Sequence, residues 1–211
     1  MASRFLLICL ACLTLEAASV KLELDPSQSY IVAVAHKGGV LRFAAGHDHG
    51  ILATKWSADV CFDRENPAAS RVSITIPTAA LRIDTEEGRR RAGIKPEGPS
   101  PKDIQEIQQK MLGPENLAAQ SHPEIRFQTT SVTPKGPEGL ILAGPLTVRG
   151  VTRTVSAAVK LDSNYVFSGE FRIKQSDFGI KPVSIGGVVT VKDAVEIRFR
   201  FSARPSATIC K

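Results

Sequence analysis

Hydrophobic and polar residues alternate one by one along several stretches of the chain, most clearly near its C-terminus. From Val195 to Ala203 every odd-numbered residue is apolar, whereas the even-numbered residues are charged or serine. Thr54–Asp63, Arg71–Ile76 and Tyr165–Lys174 follow the same rule. A period of two predicts β-strands with one dry and one wet face, which is typical of antiparallel sheets.

Four more stretches have strand-like composition and are separated by glycine- and proline-containing turns. They are Tyr30–His36, Ile125–Val132, Leu140–Val148 and Thr154–Leu161. About eight or nine such strands favour a sandwich or a closed barrel, and closure removes exposed strand edges. A barrel of about eight strands leaves an interior for packed side chains or one small ligand. The pattern therefore predicts a mainly all-β, antiparallel fold, either a sandwich or a closed barrel.

One segment, Thr85–Gln120, interrupts the strand pattern. It opens with the basic stretch Glu86–Arg91, for which we expect a flexible conformation. A helix start follows at Ser100–Asp103, with proline at the first helical position and a cap-like serine, and Gly113–Pro114 ends it. The pattern predicts one short inserted helix that covers a barrel end or a sheet face. A partner-binding helix is the less favoured alternative.

The N-terminus has the layout of a secretory signal peptide. Arg4 precedes an apolar run from Phe5 to Leu15, and small residues follow up to Ser19. We predict cleavage after Ser19, so that 1–19 is the signal peptide and 20–211 is the mature domain; an uncleaved membrane anchor is the alternative. Export to an oxidising compartment would let Cys61 and Cys210 pair, and the sequence leaves that pairing open.

The charge balance gives limited information about partners. The chain has 27 Lys and Arg against 21 Asp and Glu, a net charge of +6. A basic protein favours anionic surroundings, so transient contact with a membrane surface is compatible with this charge. Because the basic residues are scattered and few aromatic residues lie among them, we do not expect nucleic-acid binding. Arg172, Lys174, Arg198 and Arg200 are expected on a solvated sheet face.

Five short motifs, in the same order along the chain, resemble the YceI-like family of exported lipid-binding proteins. They are Leu24–Val32, Ile74–Thr85, Ser121–Phe127, Gly144–Arg153 and Ser176–Ile180. The resemblance implies a lipocalin-like, antiparallel eight-stranded barrel that takes up a polyisoprenoid or similar amphiphile, in a bacterial periplasmic or secreted location. It implies neither a catalytic constellation nor a cofactor. Gly50–Trp56 and the basic loop Arg89–Pro101 depart from the family pattern.

An elongated barrel of this kind would hold an apolar tail against inward-facing side chains. The candidates are Trp56, Val60, Phe127, Phe171, Ile197 and Phe199. Burying about ten methylenes contributes roughly 8 kcal/mol before the costs of immobilisation. The alternative is that these residues fill a closed core, as they do in many small barrels.

The stretch from Gly46 to Gly50 carries two histidines, His47 and His49, on either side of Asp48. In an extended chain both imidazoles point to one face and can chelate a metal, but zinc sites use three or four protein ligands. The flanking glycines favour a tight connection between two strands. We therefore expect His47 and His49 to make local hydrogen bonds or to contact a ligand headgroup at a polar barrel mouth.

Three other kinds of function stay open at this point. One is an exported metal-binding protein that uses His47 and His49, and another is a structural module with a closed core whose surface binds a partner. The third is an enzyme, which the sequence favours least, because it contains no Gly-x-Ser-x-Gly motif and no residues that single out a triad. The prediction is a non-catalytic carrier of a lipophilic small molecule.

Overall fold

The computed structural model describes residues 19–39, 46–185 and 189–210, and most of them lie in strands. The predicted signal peptide, apart from Ser19, lies outside these ranges. The strands are β1 (Val20–Leu24), β2 (Tyr30–Gly38), β3 (His49–Ala53), β4 (Ser57–Phe62), β5 (Arg71–Pro77), β6 (Leu81–Ile83), β7 (Glu124–Gln128), β8 (Ser131–Pro134), β9 (Gly139–Val148), β10 (Val151–Leu161), β11 (Val166–Lys174), β12 (Ser184–Ile185) and β13 (Val189–Ile209). The helices are α1 (Glu86–Ala92) and α2 (Pro101–Leu112).

The sheet closes on itself as an antiparallel barrel of eight strands, as predicted. Its ring runs β1-β4-β5-β7-β9-β10-β11-β13 and returns to β1. The long strand β13 pairs with β1 near its C-terminal end, where Ala203 lies opposite Leu24, and with β2 further back, where Arg200 lies opposite Tyr30. Segments β1 and β2 therefore form one barrel strand with a break at residues 25–29. Segments β3 and β4, and likewise β5 and β6, form two more.

Alternation along the strands separates the interior of the barrel from its surface. On β13 the odd-numbered residues Val195, Ile197, Phe199 and Phe201 line an interior cavity, as the pattern predicts. The outer face is less uniform than expected. Arg172 has a side chain 75% exposed, whereas that of Arg198 is only 35% exposed, because its Nη1 donates to the Ala92 carbonyl at the end of α1.

The apolar run of β2 is explained by burial on both of its faces. Ile31 and Ala33 line the interior cavity. Val32 and Val34 point outward, yet both are fully buried, because they pack with Ala92 of α1. A strand covered on both sides loses the polar half of its alternation.

Helix α1 corrects the expectation of a flexible stretch at Glu86–Arg91. Thr85 caps the helix by accepting a hydrogen bond from the Gly88 amide at 3.0 Å, and Gly93 ends it in the left-handed conformation. Gly50 on β3 lets the helix approach closely, since a Cβ on Gly50 would lie 2.8 Å from the Gly88 carbonyl oxygen. The described residues therefore contain two α-helices, one more than predicted.

Helix α2 begins and ends as the sequence predicts. Ser100 caps it by accepting a hydrogen bond from the Asp103 amide at 3.2 Å, and Pro101 occupies the first turn. Met111 is 7% exposed and lines the interior cavity. Ile104 and Ile107 pack against the same apolar cluster. The helix covers one end of the barrel, which was the preferred interpretation.

A disulfide joins Cys61 on β4 to Cys210, across a sequence separation of 149 residues. It resolves the question that the sequence left open. The bond ties the last described residue to a barrel strand, and the Cys210 amide also donates to the Ser19 carbonyl at 2.9 Å. Within the described ranges, no helix combines the length and hydrophobicity needed to cross a bilayer.

Candidate functional site

The barrel encloses an elongated interior cavity of about 250 Å³. Strand residues from the whole ring contribute to its lining, together with Met111 of α2. All lining residues are apolar except Asn116 and Gln175, and none of them is charged. Such a space is favourable for a hydrocarbon and unfavourable for water or ions, because water needs several polar partners.

Five of the six predicted tail-contacting residues line this cavity, namely Val60, Phe127, Phe171, Ile197 and Phe199. The sixth, Trp56, lies in the break between β3 and β4. Its ring packs edge-on against Phe201 with centroids 5.3 Å apart, and Phe201 in turn lines the cavity. The first five therefore face the barrel interior as expected, and their contact with a ligand stays a prediction.

The aromatic lining on β11 and β13 depends on a glycine. Gly169 lies opposite Phe199 in the strand register, and a Cβ on Gly169 would lie 2.8 Å from the Phe199 ring. The ring therefore lies against the bare backbone of the neighbouring strand. Phe199 also contacts Phe201, with centroids 5.7 Å apart. Together these rings form a smooth apolar wall along one side of the cavity.

The helix-covered end of the cavity carries both of its polar side chains. Phe178, which is 1% exposed, lies there with Met111 and Ile180. The Gln175 amide donates to the Lys192 carbonyl at 2.9 Å. The structure gives the Asn116 side chain no hydrogen-bond partner among the described residues. This end therefore offers neutral hydrogen-bonding capacity and no charge.

A buried charged cluster lies outside the cavity, where β3 meets α1. The Asp84 carboxylate is fully buried and accepts hydrogen bonds from His49 Nδ1 at 2.6 Å, the Gly50 amide at 3.1 Å and Arg89 Nη1 at 2.7 Å. Burial by itself would raise the pKa of Asp84. The hydrogen bond and charge of His49, together with the hydrogen bonds from the Gly50 amide and Arg89, outweigh burial and hold the pKa of Asp84 below its usual value.

Arg89 is the residue that the sequence reading missed. Its side chain is 5% exposed, and it donates to the carbonyl oxygens of Asp48 at 3.0 Å, Lys95 at 2.8 Å and Glu97 at 2.8 Å. It therefore joins the histidine loop to the segment after α1. Signals for this helix were present at sequence level: a threonine cap, acidic residues in the first turn, arginines in the last turn and a glycine stop.

The structure separates the two histidines of the candidate metal pair. His49 directs Nδ1 to Asp84, whereas His47 is exposed in the loop before β3. The Oδ2 atom of Asp48 lies 3.4 Å from Nδ1 of His36. Neither His47 nor His49 lines the interior cavity. Over the described ranges, no three His, Cys, Asp or Glu side chains are grouped as a metal site requires.

The fold and the site define a closed eight-stranded antiparallel β-barrel with an uncharged interior cavity. The family model described as "YceI-like domain" matches residues 22–203, and the chain therefore belongs to the YceI-like family. The resemblance found in the five motifs is confirmed.

Curated relatives cover part of the chain. "Protein YceI" of Escherichia coli O157:H7 is 30% identical over 129 residues, and that of Salmonella arizonae is 30% identical over 128 residues. The matched segment is 57% of the chain and 57% of the E. coli protein.

Solved structures support the same fold. BcnA of Burkholderia cenocepacia matches with a TM-score of 0.64 at 21% identity, over 86% of this chain and 100% of its own. The YCEI protein of Campylobacter jejuni matches with a TM-score of 0.54 at 16% identity, over 75% and 85% of the two chains.

Proposed function

We propose that this protein is an exported binding protein that carries or sequesters a polyisoprenoid or similar lipophilic amphiphile in the barrel interior, without catalysis. The observation that carries the proposal is the lining of the cavity, which is apolar over the length of the barrel and contains no charged residue. A hydrocarbon tail gains about 0.8 kcal/mol per methylene on leaving water for such a space.

The lining also supports a division of the ligand into two parts. Burying an ionised group without a partner costs several kcal/mol, and the cavity offers no countercharge. The enclosed part of the ligand is therefore the tail, or a tail ending in a neutral group that Asn116 can bond. A charged headgroup would have to stay outside the cavity.

A non-catalytic role is supported by the position of the most enzyme-like pair. His49 and Asp84 have the spacing of a catalytic dyad, but Asp84 is shared with Arg89, and none of the three lines the cavity. Export is supported by the disulfide between Cys61 and Cys210, because disulfides persist mainly in oxidising compartments.

The test is native mass spectrometry of the protein purified from its own exporting cells without added ligand, followed by solvent extraction and a metal scan. We expect a stoichiometric adduct that moves into the solvent, with masses that step in isoprene units. Phe171→Glu places a charge in the cavity and should abolish the adduct. Lys160→Glu, on the exposed outer face of the neighbouring strand β10, is the matched control and should keep it.

Both variants must keep the wild-type circular dichroism spectrum. An adduct that survives in folded Phe171→Glu would contradict binding in the barrel interior. A wild-type protein that carries a transition metal and no organic molecule would contradict the lipid proposal and favour a metal-binding function.

A further inference from the structure

The barrel wall contains a seam that backbone hydrogen bonds do not close. Segment β1 pairs with β4 only at Val20 and Lys21, opposite Phe62 and Cys61. Pairing between the same two barrel strands resumes at Val32. Between these points residues 22–31 make no backbone pairing with residues 53–60. Both ranges lie within the described part of the chain. We call this gap the side seam; at about 3.3 Å per residue it spans roughly 25 Å.

The two breaks in the strands explain why the side seam exists. Residues 25–29 leave the sheet in a turn, where Ser27 is held by the Asp25 carboxylate. Residues 54–56 also leave it, because the Thr54 amide and hydroxyl both donate to the Ala80 carbonyl, at 3.0 and 2.7 Å. Each strand stays paired on its other edge, β1 with β13 and β4 with β5. The outer edge of β6 also lacks a strand partner, but there the Gln108 side chain of α2 accepts a hydrogen bond from the Ile83 amide and donates one to the Leu81 carbonyl, both at 2.9 Å.

A groove of about 710 Å³ lies outside the side seam. Three side chains, Leu24, Ala53 and Ala58, line both this groove and the interior cavity. Trp56 also lines the groove and contacts the cavity residue Phe201. The groove and the cavity are therefore separated by single side chains rather than by a hydrogen-bonded strand pair.

The groove differs from the cavity in polarity. Its walls include carboxylates, an ammonium and hydroxyl groups, from Glu23, Ser27, Lys55, Ser57 and Glu87. The cavity lining has no charge at all. A groove of mixed polarity that carries charged groups, and that shares three apolar side chains with an uncharged cavity, matches the two halves of an amphiphile.

We propose that the side seam is the lateral entrance of the barrel, through which an amphiphile's tail passes into the cavity while its polar headgroup stays in the groove. The inference rests on the proposed function. Opening the side seam requires the Leu24 side chain to swing aside and the two facing strand edges to part, and no backbone pairing joins these edges between Lys21 and Val32. The helix-covered end would instead require Met111 and the fully packed Phe178 to move.

The test measures association and dissociation of the fluorescent apolar probe phenylnaphthylamine by stopped flow, with excess farnesol as the competitor. Ala58→Phe fills the side seam, whereas Ala157→Phe adds the same volume to the cavity from a paired wall. An obstructed entrance slows both directions. We therefore expect Ala58→Phe to slow association and dissociation by about tenfold relative to Ala157→Phe.

A second pair of variants opens the wall and does not depend on the folding of an overpacked variant. Leu24→Ala lies at the side seam, and Leu140→Ala is its control, a buried leucine on a strand that is paired on both edges and one that does not line the cavity. Leu24→Ala should speed both rates several-fold, and Leu140→Ala should leave them near wild type.

If the seam variant and its control change the rates equally in each pair, the side seam is not the entrance. The same follows if the rates respond to Met111→Ala alone, since that result assigns the route to the helix-covered end. If the wild-type protein is a dimer and Ala58→Phe makes it a monomer, the side seam is instead a contact with a second copy of the chain. If the wild-type protein takes up no probe, the proposed function fails, and the entrance fails with it.

Discussion

His49 Nδ1 lies 2.6 Å from Oδ2 of Asp84, a carboxylate whose other oxygen accepts a hydrogen bond from Arg89. The three residues come from three places: the first residue of β3, the residue after β6, and helix α1. Because Arg89 also bonds three backbone carbonyls, the cluster attaches α1 and its following loop to the outside of the barrel.

The first prediction concerns the charge of Asp84. Asp84→Asn keeps the side-chain shape and tolerates the positive φ of 51° at this position, so it isolates the loss of charge. Arg89 is then left buried without its countercharge, and we expect the free energy of unfolding to fall by about 3–5 kcal/mol. Urea unfolding of both proteins at neutral pH measures the difference.

Glu124→Gln is the matched control for this measurement. It removes an equivalent charge from the exposed Glu124–Arg126 pair and should change the free energy of unfolding by less than about 1 kcal/mol. Equal effects of the two substitutions would contradict a stabilising role for the buried cluster.

The second prediction is the behaviour of the same pair of proteins in acid. The pKa of Asp84 is lower in the folded state than in the unfolded chain, so its contribution is present above the unfolded value and is lost as the pH falls through the folded value. The stability difference between wild type and Asp84→Asn should therefore be constant well above the ordinary aspartate pKa value of 3.8 and shrink as the pH falls below it.

Urea unfolding at a series of pH values checks this prediction. Other carboxylates with a lowered pKa, such as Asp193, are present in both proteins and cancel in the comparison. A difference that does not change across the acid range would mean that the folded environment does not depress the pKa of Asp84.

The third prediction separates the two histidines that flank Asp48. His49→Ala removes one partner of the buried Asp84 carboxylate and should lower the free energy of unfolding by about 1–3 kcal/mol. His47→Ala alters an exposed loop residue and should stay within about 0.5 kcal/mol of wild type. Denaturant midpoints of the two variants give the comparison, and equal midpoints would contradict it.

The fourth prediction concerns the disulfide. Replacing Cys61 and Cys210 together by alanine removes a link that closes a long loop, and we expect a loss of about 2–5 kcal/mol in the free energy of unfolding. A reducing agent should bring the wild-type protein to the same denaturant midpoint and leave the double variant unchanged. If the double variant is as stable as oxidised wild type, the disulfide does not contribute to the free energy of unfolding.

Local pattern predicted most of the barrel correctly. The strand from Val195 to Ala203 keeps its alternation because one face meets the cavity and the other faces outward. Helix α2 followed from its Ser100 cap and its proline, which act within a few residues of the chain. The predicted strand Ile125–Val132 is instead two segments, β7 and β8, since Thr129 and Thr130 turn their amides to Val72 and Ala143.

The sequence by itself determined the strand periodicity, the inward-facing residues and the capped helix, because each depends on neighbours in the chain. Tertiary structure alone decided the burial of Arg89, the role of His49, the pairing of Cys61 and the side seam. Each of these depends on groups that are distant in sequence and meet only when the barrel closes. Arg89 is followed by two more arginines, a pattern typical of a solvent-exposed stretch. In the fold its guanidinium is surrounded by the buried Asp84 carboxylate and three carbonyl oxygens, so the side chain is buried.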